Sequence, residues 1–66
     1  MKNTIKVERA KLDISQAELA ARVKVSRQTI HSIEHGIFVP SAVLALKIAR
    51  VFNVAVEDVF ELEEND

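Results

Sequence analysis

The stretch ISQAELAARVKVSRQTIHSIE, from Ile14 to Glu34, constrains this chain more than any other. Leu19, Ala20 and Val23 recur at helical spacing, and after a short break Ile30 and Ile33 do so again. Each half opens on a serine. Ser15 with Glu18 three residues on is the pattern of a capping box, in which the hydroxyl and the carboxylate each satisfy a backbone N–H. Ser26 is a good N-cap for the second segment. Helices of about two turns are unstable alone in water, so these two must pack on one another. Ala20 is small enough to let the second helix approach closely. Lys24 sits in the turn where a left-handed φ is expected, at a cost of about 1 kcal/mol for a non-glycine residue. Val25 is expected to plug the turn into the core. The second helix then presents Arg27, Gln28, His31 and Ser32 on the side away from Ile30 and Ile33.

The rest of the chain predicts three further helices. The first runs from about Thr4 to Lys11, with Ile5 and Leu12, and less clearly Val7, facing inward; Asp13 ends it, since aspartate tolerates a left-handed turn. Gly36 closes the helix that ends near Glu34 as a left-handed cap. Pro40 and Ser41 open a fourth helix from Ala42 to Phe52. Val43, Leu44, Leu46, Ile48, Val51 and Phe52 make it apolar almost all round, which predicts the most buried helix of the fold. Asn53 is its expected left-handed terminator. A short helix at about Val56–Val59 follows. The alternation Phe60-Glu61-Leu62-Glu63 then predicts a strand, with Lys2-Asn3-Thr4 as its expected partner. The reading is a mostly α, five-helix domain over residues 1–66, with the helix-turn-helix at about 15–35 and a two-stranded β pairing of the two ends.

Sixty-six residues make one small domain. At this length folding buries only about 60% of the unfolded surface, so stability is marginal without help. The chain has no cysteine, which excludes disulfides and thiolate zinc sites. No apolar run reaches the roughly 18 residues of a membrane span, and MKNTIKVER lacks a signal peptide's apolar centre. A cytoplasmic protein is expected. The net charge of −1 looks unsuited to nucleic acid, yet its distribution is lopsided. Residues 1–50 hold nine basic and four acidic side chains; residues 51–66 hold six acidic and no basic ones. A phosphate-facing body with an acidic end turned away has this asymmetry, as does a body with a solubilising tail.

A short helix with a polar flank fits the DNA major groove, where base edges carry a distinguishable hydrogen-bond code. Arg27 suits guanine and Gln28 suits adenine, each through two hydrogen bonds worth about 1–3 kcal/mol of discrimination. Ser32 and His31 lie one turn further along. The N–H groups at the start of the helix holding Gln16 attract an anion, Thr29 offers a further phosphate bond, and His35 is placed near the phosphates.

The pattern Gln16-x-x-Leu19-Ala20-x-x-Val23-x-Val25-Ser26-x-x-x-Ile30-x-x-Ile33-Glu34 resembles the helix-turn-helix of Xre/Cro-type regulators. Pro40-Ser41, Leu44-Ala45-x-x-Ile48-Ala49 and Val56-Glu57-Asp58-Val59-Phe60 extend the likeness to nearly the whole chain. The resemblance implies a phage-repressor-like domain binding operator DNA, commonly as a homodimer. It places Arg27, Gln28 and Ser32 at base-reading positions and Gln16 at a phosphate contact. It also implies an ion pair between Arg9 and Glu34, which would orient the recognition helix. Two recognition helices would enter successive major grooves about 34 Å apart on a palindromic site. The expected partners are double-stranded DNA and a second copy of the chain, without membrane or small-molecule ligand, and no enzyme activity is expected. An antitoxin role, or a protein-interaction module that has lost DNA binding, are the alternatives.

His31-Ser32-Ile33-Glu34-His35 also fits H-x-x-E-H, a zinc-binding pattern. The chain is too small for a protease cleft, and Glu34 has the Arg9 role, so neither metal nor cofactor is expected. Four positions depart from the family: Lys24 in place of glycine, Glu8 at a usually apolar place, Ala55 where a capping residue starts the last helix, and the apolar Ile37-Phe38-Val39 in place of a polar loop. These last three, with Val56, Val59 and Phe60, are expected to form a two-fold dimer interface.

Overall fold

The computed structural model describes residues 1–66. Five helices follow a two-residue strand and precede another: β1 (Lys2–Asn3), α1 (Ile5–Leu12), α2 (Gln16–Val23), α3 (Arg27–Glu34), α4 (Ala42–Phe52), α5 (Val56–Val59) and β2 (Phe60–Glu61). The strands pair antiparallel, Lys2 opposite Glu61 and Asn3 opposite Phe60, so the expected joining of the two ends is present. No helix is long and apolar enough to cross a membrane.

Side-chain caps set most helix starts. Ser15, Ser26 and Ser41 accept from the backbone N–H of Glu18, Thr29 and Leu44, each satisfying a donor that the helix leaves free. Only half of the expected capping box forms, because the Glu18 carboxylate turns instead to Arg22 one turn along. At α1 the cap comes from outside: Thr4 makes no capping bond, and Asn3 Oδ1 accepts from Ile5 N at 3.2 Å. Ala55 leaves α5 without a side-chain cap.

Left-handed residues end the first, second and fourth helices: Asp13 at φ 55°, Lys24 at 61° and Asn53 at 57°. Gly36 at φ 71° follows α3. Each turns the chain back within one residue, which allows five helices in so short a length.

The core is a single cluster. Ile5, Leu19, Ile30, Ile33, Ile48 and Val59 are sealed at its centre, with Ala20, Val23, Ala49 and Phe52 around them. Two inward-facing assignments made from the sequence are corrected. Leu12 and Val7 are 45% and 54% exposed. The inner column of α1 is Ile5 and then Arg9, one turn on, and beyond the Asp13 turn Ile14 supplies the apolar plug instead of Leu12. Nor is α4 buried all round: Ala45, Ile48, Ala49 and Phe52 face the core, while Val43 and Leu46 point outward. The two small alanines one turn apart allow close packing of neighbouring helices, which is why the smaller side chains, not the larger ones, mark its inner face.

Lys24 holds a left-handed conformation that costs a side-chain-bearing residue about 1 kcal/mol or more, partly offset in glycine by its looser unfolded state. Lys24→Gly is therefore expected to stabilise the domain by about 0.5 kcal/mol, a rise in Tm of about 2–4 °C measurable by calorimetry. A fall in Tm would mean that the lysine stem makes compensating contacts.

Candidate nucleic-acid interface

The eight residues of α3 divide into two flanks. Ile30 and Ile33 are 0% and 1% exposed; Arg27 and Gln28 are exposed, and His31 and Ser32 half-buried beside them. Gln28 and Ser32 form one column of the helix face, Arg27, His31 and His35 the next, since residues four apart stack along a helix. All the base-reading candidates therefore share the surface opposite the core contact.

Glu34 holds this helix in place. Its Oε2 accepts from Arg9 Nε at 2.6 Å and its Oε1 from the terminal guanidinium nitrogen Nη2 at 3.2 Å. The fork is bidentate, and the carboxylate side chain is only 5% exposed. Arg9 also donates from Nη1 to the Ile14 carbonyl at 3.0 Å, so one guanidinium joins α1, the turn after it and the end of α3. Burial acts to push the Glu34 carboxyl up. The hydrogen bonds from Arg9 and Gln16, with the charge of Arg9, outweigh it and bring it below the ordinary glutamate value of 4.5.

Gln16 extends the network toward the surface. Its Nε2 donates to Glu34 Oε1 at 3.1 Å, and its Oε1 accepts from Arg27 Nη1 at 3.2 Å. The side chain expected at a phosphate thus bridges the buried ion pair and the exposed arginine. The Thr29 hydroxyl, also expected to face phosphate, lies 2.9 Å from Ser26 Oγ within the cap. His31 and His35 stack at 4.1 Å between ring centroids, and His35 Nδ1 donates to the His31 carbonyl at 2.9 Å. The H-x-x-E-H glutamate is taken by Arg9 and Gln16, not turned toward the rings.

Asn3 is a positioning residue the sequence did not disclose. Its Nδ2 donates to the Ile33 carbonyl at 2.9 Å, a second bond to an acceptor in the last turn of α3 that also receives the Gly36 N–H. Thirty residues separate the two in the chain, and no local signal could connect them.

The six residues expected to form a dimer interface do not act together. Val59 and Phe60 are 1% and 9% exposed within one chain. They close the core under β1 and are unavailable to a partner, because the strand pairing turns Phe60 inward. Ile37, Phe38 and Val39 are exposed, but Ile37 and Phe38 border the Gln28, Thr29 and Ser32 side of α3. Val56 lies elsewhere, in a shallow groove with Leu46, Ala49 and Val54.

A double-mutant cycle on Arg9→Ala and Glu34→Ala, read by chemical denaturation at pH 7, is expected to give a coupling of about 2–3 kcal/mol. That is below the figure for a fully buried pair because Arg9 keeps some solvent contact. Because the folded pKa of Glu34 is depressed, the contribution is complete above the ordinary glutamate value and fades as pH falls through the lower folded value. Coupling near zero at pH 7 would remove the structural role.

Comparison with known proteins agrees with this architecture. The helix-turn-helix family model matches residues 5–59. The chain is 50% identical over 66 residues to YgzD of Bacillus subtilis, described as an uncharacterized HTH-type transcriptional regulator, with both chains covered in full. It is 50% identical to an uncharacterized HTH-type transcriptional regulator of Archaeoglobus fulgidus, covering all of this chain and 93% of that one. A Methanocaldococcus jannaschii protein of the same description is 47% identical over the full length of both. With its two capped helices joined at Lys24 and its exposed polar flank on α3, the chain belongs to the Xre/Cro-type helix-turn-helix family of DNA-binding transcriptional regulators.

Proposed function

We propose that this protein is a sequence-specific repressor that binds a palindromic operator as a homodimer. The observation that carries the DNA-reading half is the division of α3, with Ile30 and Ile33 sealed below and Arg27 and Gln28 exposed above. Arg27 reads guanine and Gln28 adenine; Ser32 and His31 touch neighbouring base edges. Gln16 holds Arg27 from behind, so part of the rotamer entropy of the arginine is lost before DNA arrives. The phosphate contacts come from the N–H groups at the start of α2, that of Gln16 among them, with Thr29 and His35 adding side-chain donors as they turn outward from their internal bonds, while the Gln16 side chain stays on Glu34 and Arg27. Repression needs no further machinery, since an occupied operator excludes other proteins from the same duplex.

The dimer reading rests on α4. Leu46 is 58% exposed and Val43 63%. Leu46 borders two adjoining shallow grooves, one with Val43, Lys47 and Arg50 and the other with Ala49, Val54 and Val56. A two-fold axis through this strip would bring Leu46 and Val56 of each copy together and bury apolar surface that a small domain can ill spare to water. Of the interface anticipated from the sequence, Val56 remains.

Two measurements test the proposal. Selection from a random duplex pool is expected to yield a two-fold-symmetric site whose affinity falls steeply with salt. Arg27→Ala is expected to weaken binding about 10–100-fold and relax preference at one base pair per half-site, with Tm unchanged. Unaltered site preference in that variant would remove the assigned face. Sedimentation at micromolar concentration is expected to give the mass of a dimer, and Leu46→Asp the mass of a folded monomer. A monomeric wild-type chain throughout that range would remove the dimer.

A further inference from the structure

We infer that the apolar loop after the recognition helix reads thymine: Ile37 and Phe38 receive the C5-methyl groups of A·T base pairs next to those contacted by Gln28. The inference deepens the DNA-binding reading and rests on it.

Gln28, Thr29, Ser32, Ile37 and Phe38 line one open cavity of about 350 Å³. Its one wall is the base-reading column of α3, and the other is made of two hydrocarbon side chains, 76% and 48% exposed. Solvent-facing apolar side chains in succession call for a covering surface. Here the surface is continuous with the flank that carries Gln28 and Ser32, so whatever approaches those two also approaches the loop.

Phosphate does not suit this wall. From Gln28 to Leu46 the chain has no lysine or arginine. Three backbone donors of this segment are also engaged: Gly36 N bonds to the Ile33 carbonyl at 3.0 Å, and Ile37 N and Phe38 N both bond to the Ser32 carbonyl at 2.9 and 3.2 Å. The same bonds tie the start of the loop to the last turn of α3. An apolar contact to the thymine methyl is the direct-readout chemistry left to such side chains. In the major groove each A·T pair shows the adenine edge that a glutamine binds and, on the same edge, the thymine methyl. Gln28 and the loop would thus read the two halves of one A·T-rich step, one by hydrogen bonds and one by excluded water.

The test replaces thymine by deoxyuridine, which removes the methyl and leaves pairing and charge intact. The full-length wild-type protein is measured on its own selected site, with single T-to-U changes at each A·T pair of the half-site. The expected result is a loss of about four-fold per methyl at one or two positions, the size for burying one methyl-sized group. Ile37→Ala and Phe38→Ala, each with unchanged Tm, are expected to bind thymine and uracil sites within two-fold of each other at those positions. Equal binding of both sites by the wild type overturns the inference, as does undiminished methyl sensitivity in both variants. A change of sedimenting mass in the variants without a change in methyl sensitivity also overturns it, making the loop a protein contact. In these cases salt-dependent selection of a site by the wild type still stands for DNA binding; failure to select any site removes that reading instead.

Discussion

One carboxylate holds the working parts of this domain in register. Glu34 closes α3, accepts both prongs of Arg9 from α1 and accepts again from Gln16 at the start of α2. A helix of eight residues is only about 12 Å long, and two buried isoleucines pin its underside without determining its rotation. A bidentate fork at its last turn does, because planar guanidinium and carboxylate groups meet well in few orientations. Arg9 then spends a third donor on the Ile14 carbonyl, so moving α3 would require breaking a turn two elements away. The pair is nearly dry, and its desolvation cost is offset by having its donors and acceptors matched. Its yield is less in net stability than in a defined angle between the core and the exposed flank.

The same network extends to the surface. Gln16 stands between Glu34 and Arg27, so the chain of hydrogen bonds runs from the Ile14 carbonyl through a buried ion pair to an exposed guanidinium. Asn3 braces the other side of the last turn of α3 from the terminal ribbon. Gln16 thus ties the recognition helix to α2, and Asn3 ties it to both ends of the polypeptide, since β1 is itself held by β2. A domain too small for a deep core gains its shape from these long-range polar ties and from abrupt left-handed turns at Asp13, Lys24 and Asn53.

Most of this architecture was legible in the residues, and what escaped did so for physical reasons. Serines at Ser15, Ser26 and Ser41 and turn residues at Asp13, Gly36 and Asn53 act locally, so their positions mark the element ends directly. Leu19, Val23, Ile30 and Ile33 have neighbours that leave only one face to bury. Leu12 misled because apolar character says nothing about which way the last residue of a helix points once a left-handed turn follows. Val43 and Leu46 misled because a helix apolar all round has no polar side to orient it. There the small Ala45 and Ala49 decide, by letting other helices come close. Val59 and Phe60 were assigned to a partner because their burial depends on β1, which lies at the opposite end of the sequence. Asn3 and the bridging role of Gln16 are invisible for the same reason. The family pattern indicated the Arg9–Glu34 pair and the flank of Arg27 and Gln28, but not that Gln16 lies between them.

The charge distribution and the apolar loop belong to one argument about selectivity. Non-specific DNA binding is almost wholly electrostatic and falls steeply with salt, while base contacts add affinity only at the right site. In this chain of net charge −1, the general attraction for duplex comes from residues 1–50, where nine basic side chains outnumber four acidic ones, and is opposed by the six acidic side chains of residues 51–66. Ile37, Phe38 and Val39 add nothing to it, because hydrocarbon side chains gain nothing from a random phosphate. What they add is paid out only where a hydrocarbon surface faces them. On this reading the ratio of specific to non-specific binding rises even as absolute affinity falls, and the proposed two-fold assembly through α4 would restore the affinity by doubling the contacts. On the proposed reading, a regulator this small adds discrimination at the loop to the attraction supplied by its basic residues.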